Sequence, residues 1–413
     1  LVGTEADLRA ALEAAVPDDC VVLTADIALT GGQILITADS AAGGIEIDGA
    51  GFSVTSNGTD RVFGIDDGDM VTDSFTVTFK NITISGGGGV SFGAGVASQE
   101  TLVFEDSVVT GNRAIDPGMN YTGVGGGIDA AGDLTLTRTT VSNNTASSYA
   151  DLPTTGGGFY LTGIGGGVNV DGAVTITDSN IDNNEAANQG GGIAINGIGP
   201  HVITGSSFDN NRIGSTTAQG NTIGLNSFGA GLFQDAGGPG VNMSISNSSI
   251  SGNVGGGNAV AGDIIFDYGM GADLTTRGVN DVISLDNVTI SNNTSTSDGI
   301  SGGYLAVQRG TGLTMSAIEG GTFNVSNSTI SGNYMSPLGD FPGYGAVSVA
   351  TFDTGSGVAY PGVFNLTDNT ISGNTALRGG GIGVRYNGGF NNDGIGTQND
   401  LNITGGTIAN NYA

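Results

Sequence analysis

The side chains of this chain that could do chemistry are mostly carboxylates. Asp and Glu number 39 against 10 Lys and Arg, with one histidine, one cysteine and no tryptophan. The densest acidic run is Asp66-Asp67-Gly68-Asp69, with Asp73 close by. Carboxylates at that spacing suit a hard cation such as Ca2+, which takes oxygen ligands. The run matches neither an EF-hand loop nor a Gly-Gly-x-Gly-x-Asp repeat, and a solvated acidic turn is the plainer reading. His201 is the sole histidine. A Ser-His-Asp system would have to use it, yet Ser206 and Ser207 sit in no Gly-x-Ser-x-Gly elbow. A zinc site with several His or Cys ligands is excluded by count. The position of His201 at the start of a strand pattern makes it a rim or sheet residue. Cys20 cannot form an intrachain disulfide and reads as a small buried residue of an N-terminal cap.

Paired carboxylates could also cleave glycosidic bonds. Polysaccharide-acting lyases and hydrolases of parallel β-helix type share only the architecture expected below. Their polyanionic substrates call for Lys, Arg or His near the scissile bond. Here Lys80 is the sole lysine, and arginines such as Arg61, Arg138 and Arg277 stand singly. A net charge of −29 would repel a polyuronate, and no Trp is present to stack on sugar rings. Such an enzyme would need a groove lined by convergent carboxylates and at least one Arg. No residue is assigned a catalytic or cofactor-binding role from the sequence.

What positions these groups is a repeat. An apolar-polar-apolar stretch, a few small polar residues, Ile or Val, a polar pair and Asn recur ten times. Clear copies are Ile245 to Asn253 and Val325 to Asn333. The closing Asn falls at 112, 144, 184, 211, 253, 293, 333, 374 and 411, and the earliest copy, Phe79 to Gly87, closes with Gly. Self-similarity at this period means stacked supersecondary units. In a stacked turn the Asn amide can bond to backbone and to the Asn of the next rung, and Asn tolerates left-handed backbone. The many Asn-X-Ser/Thr triplets, for example at Asn81, Asn287 and Asn327, follow from the same turn chemistry.

Each unit carries three strand signals. These are an alternating pair such as Leu134-Thr135-Leu136, the Ile or Val before the Asn, and a Gly-rich strand such as Gly125-Gly126-Gly127-Ile128. Looser Gly-rich versions are Gly93 to Val96, Gly229 to Leu232 and Gly302 to Leu305. The glycines feed no helix and no Lys, so they serve tight turning and close packing rather than phosphate binding. Three short strands per turn describe a rung of a parallel β-helix with three sheets, pectate-lyase-like in architecture. Two apolar columns follow. One is Phe79, Phe104, Leu136, Ile176, Ile203, Ile245, Leu285, Val325, Leu366 and Ile403. The other is Ile84, Val109, Val141, Ile181, Phe208, Ile250, Ile290, Ile330, Ile371 and Ile408. Residues 1–74 form an N-terminal cap and first coils, with a short amphipathic helix opened by Thr4-Glu5-Ala6-Asp7. Residues 75–413 carry the repeats as one continuous solenoid, a rod of roughly 55–65 Å at ~4.8 Å per rung.

The shortest interval, Asn184 to Asn211, is a bare rung of 27 residues. Longer intervals hold insertions, at Asp116 to Val124, Ser147 to Thr155, Gly269 to Gly278, Met335 to Tyr344 and Asn387 to Asn399. Any binding is expected in insertion loops with tyrosines such as Tyr121, Tyr149, Tyr160, Tyr268, Tyr344 and Tyr360, and pinning those loops to the rod is the alternative role of the same side chains.

The pairing of Gly-Gly-small-Ile with an apolar residue, two polar residues and Asn resembles the repeat pair of bacterial polymorphic outer-membrane proteins and autotransporter passengers. Phe208-Asp209-Asn210-Asn211 fits its Phe-x-x-Asn half literally. The resemblance covers residues ~75 to 413, with Gly-Gly-Gly where that family has Gly-Gly-Ala. It implies a right-handed helix, in keeping with the crossover preference of parallel strands. It also implies an exported bacterial passenger, adhesin or structural element. The absence of a starting Met and of a signal peptide suggests a trimmed N-terminus. The last rung, ending at Asn411-Tyr412-Ala413, carries no cap in view, which suggests further chain or self-association. The chain is therefore expected to be a non-catalytic extracellular or cell-surface structural or adhesive protein, with self-assembly into a fibre or coat, or surface glycans or proteins, as partnerships. Its acidity argues against nucleic acid, and no apolar run is long enough for a transmembrane helix.

Overall fold

The computed structural model describes residues 1–37, 43–66, 75–116, 122–148, 163–214, 227–256, 264–296, 305–335, 345–352, 360–376, 379–387 and 399–413. Among these there are forty-six strands and one α-helix, and every strand-to-strand pairing is parallel. The architecture is all-β, repeat-like and solenoid-like, and each sheet is an open run of strands. The longest sheet has 12 strands, running from Cys20–Val22 to Asp400–Thr404, so the cap strands share a sheet with the repeats. A second long sheet has 11 strands, from Ile34–Ile36 to Ile382–Asn387.

Both apolar columns fall in register. Phe79 pairs with Phe104, Phe104 with Leu136, Leu136 with Ile176, and so on to Leu366 with Ile403. In the other column Ile84 pairs with Val109 and Ile330 with Ile371. Strict alternation fixes this register, because a one-residue slip would turn every apolar side chain to solvent. Phe79 and Phe104 stack with ring centroids 5.0 Å apart, and Phe323 and Phe364 at 5.3 Å. Each such buried ring contributes roughly 1.5–3 kcal/mol through burial.

Three sheets were expected, but isolated bridges join the shorter sheets so that five ladders of strands run along the molecule. The two additional ladders are built of segments as short as Arg113–Ala114 and Gly123–Val124. Two residues are too few to carry a periodic signal. The Gly-rich turn of one rung also lies elsewhere than expected. Gly302 to Tyr304 fall outside the described residues, Leu305–Arg309 is a strand, and Gly310 to Gly312 make the turn before Leu313–Ile318. Likewise Gly269 to Gly278 is no insertion: Gly269 turns the chain into the strand Ala272–Thr276.

The recurring Asn forms a continuous buried amide ladder. Asn112 Nδ2 donates to Asn144 Oδ1 at 3.0 Å, Asn144 to Asn184 at 3.1 Å, and Asn184 to Asn211 at 3.1 Å. Asn211 continues through its backbone N–H to Asn253 Oδ1 at 2.8 Å. From Asn253 the amide bonds resume through Asn293, Asn333 and Asn374 to Asn411. In Gly87, which closes the earliest copy, the backbone N–H donates to Asn112 Oδ1 at 2.9 Å. The left-handed residue is not the closing Asn but the one before it, as at Asn143, Asn183 and Gly252, with φ of 56°, 58° and 67°. The triplet asparagines Asn81, Asn287 and Asn327 occupy a second left-handed turn, with φ of 47° to 54°.

The third glycine of the Gly-rich turn packs on that ladder. A Cβ added at Gly231 would lie 2.7 Å from Asn253 Nδ2 and 2.6 Å from the Gly271 carbonyl. The two halves of the repeat are therefore one device, since the glycine leaves room for the amide. Gly231→Ala should cost about 1–3 kcal/mol through overpacking, read as a lowered melting temperature. An unchanged melt would refute this coupling. Ala346 occupies the matching place in its own rung, where the left-handed glycine, Gly345, comes one residue later.

The helix Glu5–Glu13 is capped by Thr4, whose Oγ1 accepts from Asp7 N at 3.2 Å, and buries Leu8 and Leu12. Glu5 ties it to the sheet. Its carboxylate accepts from Thr30 N (2.7 Å), Thr30 Oγ1 (2.8 Å), Gly31 N (2.9 Å) and Arg9 (2.7 Å). The Thr30 backbone bond, followed by Arg9, holds its carboxyl down to about 2. This anchoring is fully present above the ordinary glutamate value and is lost as pH falls towards 2. Glu5→Ala should speed hydrogen exchange of the helix amides roughly tenfold or more, since charge-assisted bonds are removed. Exchange elsewhere should be unchanged. Equal protection in both proteins would count against the anchor.

Candidate functional site

In its three-residue strands the 11-stranded sheet points one side chain per rung away from the core. Leu35, Gly64, Ala97, Asp129 and Asn169 occupy successive outward positions in register. Inward neighbours such as Ile34, Phe63, Val96 and Ile128 are fully buried. Two consecutive small residues, Gly64 and Ala97, leave a trough between Leu35 and Asp129, about 14 Å long at the rung spacing. A cleft of about 510 Å³ fills it, lined also by Gln33, Arg61, Asp66, Phe92, Gln99 and Asp171. A Cβ at Gly64 would come within 2.8 Å of Gln33 Oε1.

The polar groups of this cleft are unusually placed. Asp129 accepts from Asn169 Nδ2 at 2.8 Å, and Asn196 Nδ2 donates to Asn169 Oδ1 at 2.9 Å and to Asp171 Oδ1 at 3.1 Å. Burial, reinforced by the Asp171 charge, raises the Asp129 carboxyl to about 6, against the pull of the Asn169 amide and Arg61. Burial also lowers the affinity of Arg61 for its proton, opposed by Asp60 and Asp129. Arg61 Nη2 donates to the Phe92 carbonyl at 3.1 Å. Two buried atoms of the wall, Arg61 Nε and Gln33 Oε1, have no hydrogen-bond partner. Buried polar atoms are nearly always paired, so these two leave unmet hydrogen-bonding capacity behind the wall of the cleft. A carboxyl that titrates near neutrality in a cleft has the same implication.

Asp66, Asp129, Asp171 and Arg61 all line this cleft, so it holds carboxylates and an arginine, as the enzyme alternative requires, without gathering the three carboxylates into one cluster. Sequence reading missed Asp129, Gln33 and Phe92. The available signal was the outward position of the Gly-rich strand, where Gly64 and Ala97 interrupt larger side chains.

Other candidates lie elsewhere. Asp66 lines the cleft, and Asp67, Asp69 and Asp73, on which the Ca2+ expectation rests, lie outside the described residues. Among the described residues no group of three or more His, Cys, Asp or Glu is placed to hold a metal ion. His201, expected at the rim or in a sheet, lies in the sheet strand Pro200–Thr204 with its side chain turned into the core. It is 1% exposed, pairs with Val174 and Met243 in an inward column, and its Nε2 meets the Gly197 carbonyl at 3.1 Å. Burial lowers its pKa, which favours a neutral ring. Cys20, expected to be buried, is exposed, because Val21 is the inward residue of its strand; its Sγ lies 3.2 Å from Glu46 Oε1. Tyr121, Tyr149, Tyr160 and Tyr344 fall outside the described residues. Tyr268 lines a cleft of about 240 Å³ with Phe228 and Phe233, and Tyr360 lines one of about 580 Å³ with Arg277. No helix among the described residues is long and apolar enough to cross a membrane.

No protein-family model, curated protein or solved structure matches this chain.

Proposed function

We propose that the chain is a right-handed parallel β-helix of the exported bacterial repeat type, serving as a non-catalytic extracellular or cell-surface structural and adhesive protein. The observation that carries this reading is the buried amide ladder from Asn112 to Asn411. The most regular polar side chains of the sequence are engaged in holding rung to rung, which suits a stiff scaffold. A surface of net charge −29 keeps such a scaffold soluble by repulsion, most comfortably in salt. Cell-surface retention and binding to immobilised glycans or surface proteins, measured with the purified chain, test the reading. Sedimentation and electron microscopy separate single rods from a fibre or coat. Release of reducing ends or unsaturated products from a polysaccharide panel would refute the non-catalytic part. That outcome would favour a polysaccharide-acting lyase or hydrolase, a second reading supported by the cleft that joins Arg61 to Asp129 and Asp171.

A further inference from the structure

We propose that the trough between Leu35 and Asp129 is a binding site for an extended, uncharged, hydroxyl-rich saccharide segment. The inference deepens the adhesive half of the reading above and rests on it.

Shape is the first argument. Two successive rungs carry no outward side chain of their own beyond a methyl group, and the Gln33 amide lies over Gly64, so the floor is low over more than one rung. A single ion would leave most of the cleft of about 510 Å³ empty.

Hydrogen-bonding chemistry is the second. The lining offers a fixed donor in Arg61, fixed acceptors in Asp171 and Asp129 once ionised, and both functions on the amides of Gln33 and Gln99. The orphan atoms are one donor, Arg61 Nε, and one acceptor, Gln33 Oε1. Gln33 Oε1 lies over Gly64, where an added Cβ would come within 2.8 Å of it, so the Gln33 amide is part of the floor of the trough. Phosphate or carboxylate would satisfy the donor and face Asp66, Asp129 and Asp171 unfavourably. An ammonium group or metal ion would satisfy the acceptors and face Arg61. A hydroxyl donates and accepts at once, so a polyol matches both sets.

The apolar part of the lining is the third. Phe92 is 45% exposed and Leu35 52% exposed, both at the trough. They offer surface to the C–H face of a sugar ring beside the polar groups, the mixture typical of small-ligand sites. A peptide, the other ligand rich in paired donors and acceptors, binds sheets chiefly by adding to an open edge. The floor here is the face of the second and third strands of the sheet, whose backbone is already paired on both sides.

The test is calorimetric titration of the purified chain with neutral cello-, manno- and xylo-oligosaccharides, with polygalacturonate, inorganic phosphate and an extended peptide as comparisons. At least one neutral oligosaccharide should bind saturably. Ala97→Leu, which fills the floor from outside the core, and Gln33→Leu, which removes the amide, should each weaken it at least tenfold. Both variants should melt with the wild-type chain, which separates loss of the site from loss of the fold. Binding of none of the neutral sugars, saturable binding of the anions or peptide alone, or neutral binding that both variants retain would each overturn the proposal. If the variants still adhere to glycan surfaces as the wild type does, adhesion stands and the cleft is not its site.

Discussion

Asn253→Ala should lower the unfolding free energy by about 3–6 kcal/mol. Asn253 is fully buried, and its side chain makes three hydrogen bonds. Oδ1 accepts from Asn211 N at 2.8 Å, and Nδ2 donates to the Phe208 carbonyl at 2.8 Å and to Asn293 Oδ1 at 2.9 Å. Truncation leaves the Asn211 N–H and the Phe208 carbonyl buried without these partners, at about 1–3 kcal/mol each. The vacated volume adds a cavity penalty. Asn293 Oδ1 loses less, since the backbone N–H of residue 253 still donates to it at 3.0 Å. Asn411→Ala, at a part-buried end of the same ladder, should lose distinctly less. Asn242→Ala, on an exposed position of the neighbouring strand, should lose under about 0.5 kcal/mol. Stacked repeats open locally, so hydrogen exchange is the sharper measurement alongside denaturant titration. Protection should fall most in the rungs that hold Asn211, Asn253 and Asn293. A loss no greater than that of the Asn242 variant would mean that the amide ladder is ornamental to stability.

The columns and the ladder were legible because one residue type returns once per rung at a fixed place. Ile84 through Ile408 and Asn112 through Asn411 can be aligned by eye, and alignment in sequence becomes adjacency in space. A second polar ladder was not legible. Thr139 N donates to Ser179 Oγ at 3.1 Å, Ser179 N to Ser206 Oγ at 3.1 Å, and Ser206 N to Ser248 Oγ at 3.2 Å. These hydroxyls look like ordinary turn residues, since Ser, Thr and Asn fill turns for several reasons. The left-handed position was misplaced by one residue for a related cause: Asn at both 143 and 144 hides which of them the turn strains. His201 was read as a rim or sheet residue from its alignment with the strand starts of other rungs; it does lie in a sheet strand, Pro200–Thr204, but at an inward place beside Val174 and Met243 that the alignment did not reveal. The cleft was hardest to see. Arg61 and Asp129 lie on different rungs and belong to no repeated motif. A site of this kind is a departure from the repeat, and it is found by asking which outward positions have lost their side chain.

Asp129→Asn should stabilise the protein at neutral pH by about 3 kcal/mol. The carboxyl is raised to about 6 from 3.8, chiefly by burial. At 1.36 kcal/mol per tenfold change in proton affinity, that difference corresponds to about 3 kcal/mol. The sign follows from linkage. A carboxyl with a raised folded-state pKa adds stability that is complete below 3.8 and is lost as pH rises through 6. Above that the folded state holds a charge in a poor environment. Asparagine keeps the shape and can still accept from Asn169 Nδ2, now 2.8 Å from Asp129 Oδ1, but carries no charge. The stability difference between variant and wild type should be close to zero below about pH 4. It should grow between pH 4 and 6 and level off above. Working with the difference removes the contribution of His201, whose lowered pKa makes both proteins lose stability as pH falls below 6.5. A flat difference across this range would show that Asp129 titrates like an exposed carboxylate. A destabilised variant at pH 7 would show that its charge is held by a partner stronger than Arg61 and Asn169. If the expected curve is found, the fold carries at Asp129 an ionised group that lowers its own stability at neutral pH. That is the behaviour of a residue placed to meet a ligand rather than to hold the sheet together.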